Sequence, residues 1–247
     1  QTSMDQFAGM SSARLSIDMG DAGVLAFDQG SGSGLGTIDD KTPTAAEEIW
    51  DGLDGLTVGG LVGAAGASGV FNYVQTFAGV TFNGAMRKGS GAKNSDGASS
   101  GAGQSAWDFA LTGSGDMMGI DGLAWGAGYG QADAGDQADA AGVEDSNEHL
   151  TVFANYSFGP ATLGYQVSTI DNGGNGATSE ETEAWGLAVN INDNFSVSYG
   201  EREVEYRKAS ADHVTEDGEG IAIAYTMGSM KIAGNRNEVT DNDGTAG

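Results

Sequence analysis

Cysteine is absent from this 247-residue chain, proline and histidine each occur twice, and Lys plus Arg number only 10. Without cysteine there is no disulfide framework and no thiolate metal site. With only His149 and His213, one at a strand start and one in a long loop, a paired-histidine metal site requires two distant segments to converge. Against the 10 bases stand 35 acids, a formal charge of −25. That balance argues against nucleic-acid binding, because phosphate recognition needs cations, and against docking on anionic lipid surfaces. No apolar run approaches the roughly 18 to 20 residues of a spanning helix. A mean hydropathy of −0.26 therefore reads as soluble on a conventional scan. Nucleotide and hydrolase signatures are missing as well: there is no complete G-x-G-x-x-G, no Walker A and no G-x-S-x-G. Gly30-Ser31-Gly32-Ser33-Gly34 is followed by neither a Lys nor a βαβ unit, so it reads as flexible loop. Asp241-Asn242-Asp243-Gly244 lacks the spacing and the bidentate Glu of a calcium loop. Weak collection of Ca²⁺ or Mg²⁺ by acid-rich outer loops is the one metal expectation, and no cofactor is expected.

What the chain does have is 43 glycines and a recurring alternation. In Leu150, Val152, Ala154, Tyr156 and Phe158 every second residue is apolar. After Gly159-Pro160 the pattern returns as Ala161, Leu163, Tyr165 and Val167 against Thr162, Gly164, Gln166 and Ser168. Trp185, Leu187, Val189 and Ile191 oppose Gly186, Ala188 and Asn190. Phe195, Val197 and Tyr199 oppose Ser196, Ser198 and Gly200, and Ile221, Ile223, Tyr225 and Met227 oppose Ala222, Ala224 and Thr226. A period of two places each set on one face of a strand. A soluble sandwich alternates in the same way, so the connections must decide.

They are strongly unequal. Tight turns are expected near Gly20-Asp21-Ala22-Gly23, Ala78-Gly79, Gly159-Pro160, Asp193-Asn194 and Gly228-Ser229. The intervening connections, around 30–69, 88–105, 131–148, 169–183 and 206–217, are long and rich in Gly, Asp and Ser. One trimmed rim and one elaborate rim is the division of outer-membrane barrels, with apolar residues facing lipid and a wet interior. Glycine suits strands whose inner face lines water and needs no packing. Tyr156, Phe158, Trp107, Trp125, Tyr129 and Trp185 are placed to serve as interfacial aromatics. The expected fold is all-β: one antiparallel transmembrane barrel over 1–247 with about twelve strands.

The longest connection follows the hairpin Arg14-Leu15-Ser16-Ile17-Asp18-Met19 and Ala22-Gly23-Val24-Leu25-Ala26-Phe27-Asp28-Gln29. It contains Thr44 with Glu47 three residues on, a capping box that predicts a short helix from Ala45 to about Leu53. This hairpin, its Gly-rich exit and the acidic loop resemble the fourth and fifth strands and third loop of the general trimeric porins of Gram-negative outer membranes. The resemblance is specific over Arg14 to Asp54 and extends loosely over the whole chain through its hairpin rhythm. It implies a barrel of about sixteen strands, with the loop at 30–69 folded into the lumen as a constriction. It also implies a homotrimer in outer-membrane lipid and lipopolysaccharide, passing small hydrophilic solutes. The family's first three strands and its closing strand have no counterpart here, so the chain is expected to be incomplete at both ends.

Under that reading Asp39, Asp40, Glu47, Glu48 and Asp51 would supply carboxylates to the constriction. Parity places Arg14, Asp18, Asp28, Arg87, Arg202 and Lys231 on the opposing wall. Acids on a loop facing cations across a narrow gap create a transverse field that low-dielectric walls focus. Two other readings compete. A secreted or surface acidic, Gly-rich β-solenoid or calcium-binding adhesin requires repeats of fixed period, and none is present. A barrel enzyme would have to use the two histidines, with Ser146 near His149 as its sole local nucleophile.

Overall fold

A computed structural model of the chain describes residues 14–28, 34–48, 69–87, 105–133, 146–171, 178–208 and 214–241. Twelve strands form one sheet: β1 (Arg14–Asp18), β2 (Val24–Asp28), β3 (Val70–Phe77), β4 (Val80–Arg87), β5 (Ala106–Ser114) and β6 (Leu123–Asp133) make the first half. The second half is β7 (Ser146–Phe158), β8 (Ala161–Asp171), β9 (Thr178–Asn192), β10 (Phe195–Lys208), β11 (Val214–Met227) and β12 (Met230–Thr240). Each strand pairs antiparallel with the next in chain order, a plain meander. No helix among the described residues is long and apolar enough to cross a membrane.

The register divides the sheet into two faces. Leu163 pairs with Leu187 and Tyr165 with Trp185, while Gly164 between them pairs with Gly186. Ile223 lies opposite Val197 and Ala222 opposite Ser198. On the first face large apolar side chains stay open: Ile221 is 52 % and Ile223 49 % exposed. Leu187 and Val189 are partly exposed rather than gathered into a core. On the other face the neighbours Ala184, Ala222 and Ala224 are buried. A sheet that keeps its isoleucines outside and its alanines and glycines inside has apolar surroundings on the outside, the inverse of a soluble sandwich.

That outward apolar band stops abruptly toward the long connections. Along β10 the outward residues are Phe195, Val197 and Tyr199, then Glu201, Glu203 and Glu205; β9 and β11 change in the same way, at Trp185/Glu183 and at Ile221/Glu219. Leu150 to Phe158 at about 3.3 Å per residue and a tilt near 40° gives a band roughly 20 Å tall, close to that of outer-membrane barrels. Strands of 13 to 15 residues in β7, β9, β10 and β11 exceed this height. They continue beyond the hydrocarbon, so the connections expected at 131–148, 169–183 and 206–217 are shorter than charge alone indicates.

The five expected tight turns are present, and a sixth, not expected, joins β5 to β6 through a 3₁₀ turn at Gly115–Met118. The described apolar core is small. Leu35, Ile38, Ala110 and Phe153 form one cluster and Val70 with Ala85 another. The first exists because residues 34–48 lie against the inward face.

Candidate functional site

Residues 34–48 leave the sheet beyond β2 and run along its concave face in the order of the strands. A 3₁₀ turn at Gly34–Ile38, closed by the Thr37 hydroxyl donating to Gly34 O at 2.6 Å, starts the path. Leu35 N–H donates to the buried carboxylate of Asp108 on β5 at 3.0 Å, and Leu35 and Ile38 bury against Ala110 and Phe153. Burial of two such side chains contributes about 1.5–3 kcal/mol each. Further along, Gln166 on β8 and Asn155 on β7 bond the backbone of residues 38–41. Ala45 N–H donates to Ser198 Oγ on β10 at 2.8 Å, and Asn237 Nδ2 on β12 donates to Glu48 O at 3.3 Å. The strap thus spans the wall from β4 to β12.

Its docking requires bare backbone beneath it. A side-chain carbon at Gly128 would lie 2.5 Å from Leu35 Cδ1, and one at Gly186 would lie 2.7 Å from Pro43 O. These glycines do more than leave a lumen open; they form a trough in which the loop sits.

The expected short helix does not form within the described residues. Residues 45–47 are bends, with Thr44 Oγ1 donating to Glu47 O at 2.6 Å and accepting from Ala46 N–H at 3.3 Å. Ser198 captures the Ala45 N–H and holds the segment flat on the wall, where local capping would otherwise have started a turn. Residues 49–53 lie outside the described residues.

Four of the five expected loop acids can be placed. Asp39, Asp40 and Glu48 are half-buried and Glu47 is exposed; Asp51 lies outside the described residues. Asp40 Oδ1 is buried without a hydrogen-bond partner. Burial, reinforced by repulsion from Asp39 and Glu48, pushes the Asp40 carboxyl up to about 6, against the opposing pull of Lys41 and Arg202. Burial also raises Asp39, with backbone hydrogen bonds and Lys41 opposing. Desolvation favours the neutral acid, and neighbouring carboxylates add to it.

All six expected wall residues belong by register to the concave face, spread over strands from β1 to β12, with Arg14 the ladder partner of Asp28. Arg202 is buried, 4.0 Å from Glu216 and within electrostatic reach of Asp40. Tyr206 donates to Glu216 from the other side at 3.3 Å. Arg87 is half-buried on β4, Lys231 is exposed on β12, and Arg14 is exposed on the edge strand β1. Asp18 caps the first short turn, accepting from Gly20 N–H at 2.9 Å at the end of its strand away from the loop. The side chain of Asp28 lies outside the described residues. Arg202, held against Glu216, is the wall cation that acts electrostatically on the loop acid Asp40.

Ser146 and His149 sit three apart on β7 and so point to opposite faces, which removes the local nucleophile pair. His213 lies outside the described residues. Among the described residues no group of three His, Asp or Glu is arranged to hold a metal ion. The residues that sequence reasoning missed are the neutral ones: Gln166, Asn155, Ser198 and Asn237, together with the buried Asp108. Their only sequence signal was inward parity, which every second residue shares.

The outward boundary carries the aromatic residues. Tyr129 donates to Glu148 at 2.8 Å and Tyr165 to Glu183 at 2.7 Å. Tyr199 donates to Glu201 and Glu219 at 2.7 and 2.8 Å, and Trp185 Nε1 donates to Glu201 at 3.1 Å. Each ring lies in the apolar band while its polar atom reaches the first carboxylate above it, the arrangement of an interfacial girdle. Trp125 belongs to the opposite rim, where it donates to Ser114 O at 3.3 Å.

A sequence model of the Gram-negative porins matches residues 2–246. The chain belongs to the Gram-negative porin family. It is an outer-membrane β-barrel protein whose concave wall lines a channel. Among solved structures this porin is similar to OmpT, an outer membrane protein of Vibrio cholerae, at 15 % identity and a TM-score of 0.66 over 93 % of this chain and 69 % of that one. OmpT has also been solved in a trimer form, 14 % identical with a TM-score of 0.61 over 89 % and 67 %. The anion-selective porin from Comamonas acidovorans is 14 % identical, with a TM-score of 0.59 over 93 % and 77 %. No curated protein sequence matches the chain.

Proposed function

We propose that this porin passes small hydrophilic solutes and ions down their concentration gradients, without catalysis, through a bore narrowed by residues 34–48, with a preference for cations. The observation that carries the reading is the position of the loop, fastened across the inward face from β5 to β12 with Asp39, Asp40, Glu47 and Glu48 along it. Four carboxylates against the single Lys41 bias the narrow stretch toward cations, and a low-dielectric wall strengthens that bias. The preference is opposite to that named for the Comamonas porin. The outward band and its aromatic girdle would face lipid and lipopolysaccharide, and a homotrimer, as in the trimer form of OmpT, completes the assembly. Reversal potentials across planar bilayers under a salt gradient test the reading. Replacing the four loop acids together, as D39N/D40N/E47Q/E48Q, is expected to move the potential toward that of a non-selective pore. An unchanged potential would remove these acids from the constriction.

A further inference from the structure

Gln166 is a neutral residue on a wall that faces water, where nothing compels burial, yet it is 1 % exposed. Its amide offers one acceptor oxygen and two donors. The oxygen accepts Lys41 N–H at 2.9 Å, while Nε2 donates to the carbonyls of Ile38 and Asp39 at 2.8 Å each. One side chain thus satisfies three backbone groups within four consecutive residues, groups that would otherwise need water or a strand edge. Those four residues carry Asp39 and Asp40. Beside it, Gly164 and its ladder partner Gly186 leave no room for a side chain under Pro43. Every hydrogen bond of the Gln166 side chain goes to the loop, whereas β8 is held to β7 and β9 through its backbone ladders.

We infer that Gln166, next to the Gly164–Gly186 trough, is a positioning residue that fixes the height of the acidic span above the wall and so sets the bore of the channel. The inference rests on the constriction role proposed above. In Q166M the length of the side chain is kept and all three bonds are lost. The loop then lifts from the wall into the lumen, so the channel is narrower on average and noisier when open. G186V acts from below, because its branched side chain fills the trough, raises Pro43 and pushes the loop into the lumen.

Single-channel conductance, swelling of proteoliposomes in sugars of graded size, and the thermal unfolding midpoint in detergent would be measured on the assembled protein. Q166M is expected to lower conductance with greater open-channel noise and to exclude sugars that the parent admits, and G186V to lower conductance without the added noise, as bore area dictates. The midpoint is expected to hold in Q166M, because the barrel ladders are untouched; a lower midpoint at unchanged conductance would mean a merely structural side chain and would overturn the inference. Should Q166M fail to assemble, unaltered conductance in G186V overturns it equally. The four-acid variant separates the two ideas. If it shifts the reversal potential while Q166M and G186V conduct like the parent, only the positioning role of Gln166 falls, and if it leaves the potential unchanged, the constriction reading falls first.

Discussion

Asp40 is the residue at which charge and burial conflict most directly. Its Oδ1 is enclosed without a hydrogen bond, Asp39 and Glu48 repel it, and Arg202 offsets part of the cost from the wall. The carboxyl is raised from 3.8 to about 6, so the seated loop binds this proton more tightly than the unfolded chain does. The sign follows by linkage: the stabilisation of the neutral form is complete below the unfolded value and is lost as pH rises through the folded one. In the channel the charge runs the other way, since the loop gains an anion as pH passes about 6. Cation selectivity is therefore expected to be weaker near pH 5 than near pH 7, with the step centred between ordinary carboxylate and histidine values. D40N should abolish the step and hold the low-pH selectivity throughout. Reversal potentials recorded across that range check this, and a pH step that survives in D40N would assign it to another group.

At the scale of the strand, the sequence carries one kind of information clearly and another poorly. Alternation such as Ile221, Ile223 and Tyr225 against Ala222 and Ala224 fixes both the strand and its outward face, because lipid accepts only the bulky set. Strand ends are harder to read. Glu180, Glu181 and Glu183 look like loop by charge, yet they continue β9, with Glu181 paired to Glu205 and Glu183 to Glu203 on β10. Like charges directly opposite destabilise a ladder, and Arg207 offsets one pair by reaching Glu181 at 2.6 Å and Glu205 at 2.8 Å. The β5–β6 turn is hard to read from sequence for the opposite reason. Met117, Met118 and Ile120 are exposed apolar residues at a membrane surface and resemble strand more than turn. The loop acids were legible as a cluster, whereas the residues that seat the loop were not, because a neutral Gln or Ser is marked only by what it touches after folding. Facing is the part most open to test. I223R places a cation in the middle of the outward run and is expected to destabilise the barrel by about 2–4 kcal/mol, while A222S on the inward side costs far less. Urea unfolding in lipid vesicles measures both, and equal effects from the two substitutions would contradict the assigned faces.

At the scale of the whole molecule, the chain carries a formal net charge of −25, and acids among the described residues stand in two settings that respond differently to salt. Glu201, Glu203, Asp217 and Glu219 stand exposed on the outward rim, whereas Asp39, Asp40 and Glu48 are half-buried against the inward wall. The screening length falls from about 10 Å at 0.1 M salt to about 3 Å at 1 M, which removes the reach of exposed charges but leaves charges within a narrow gap in contact with a passing ion. Rim acids can raise the local cation concentration only at low salt; loop acids act at both. Cation selectivity is accordingly expected to decline with ionic strength toward a plateau rather than to vanish. The plateau belongs to the loop, so D39N/D40N/E47Q/E48Q should keep the salt-dependent part and lose the residue at 1 M. Neutralising Glu201, Glu203, Asp217 and Glu219 instead should flatten the low-salt rise and leave the plateau in place. Reversal potentials at constant gradient ratio across that salt range distinguish the two, and a plateau that survives the loop substitutions while disappearing with the rim acids would place the filter on the wrong side of the wall.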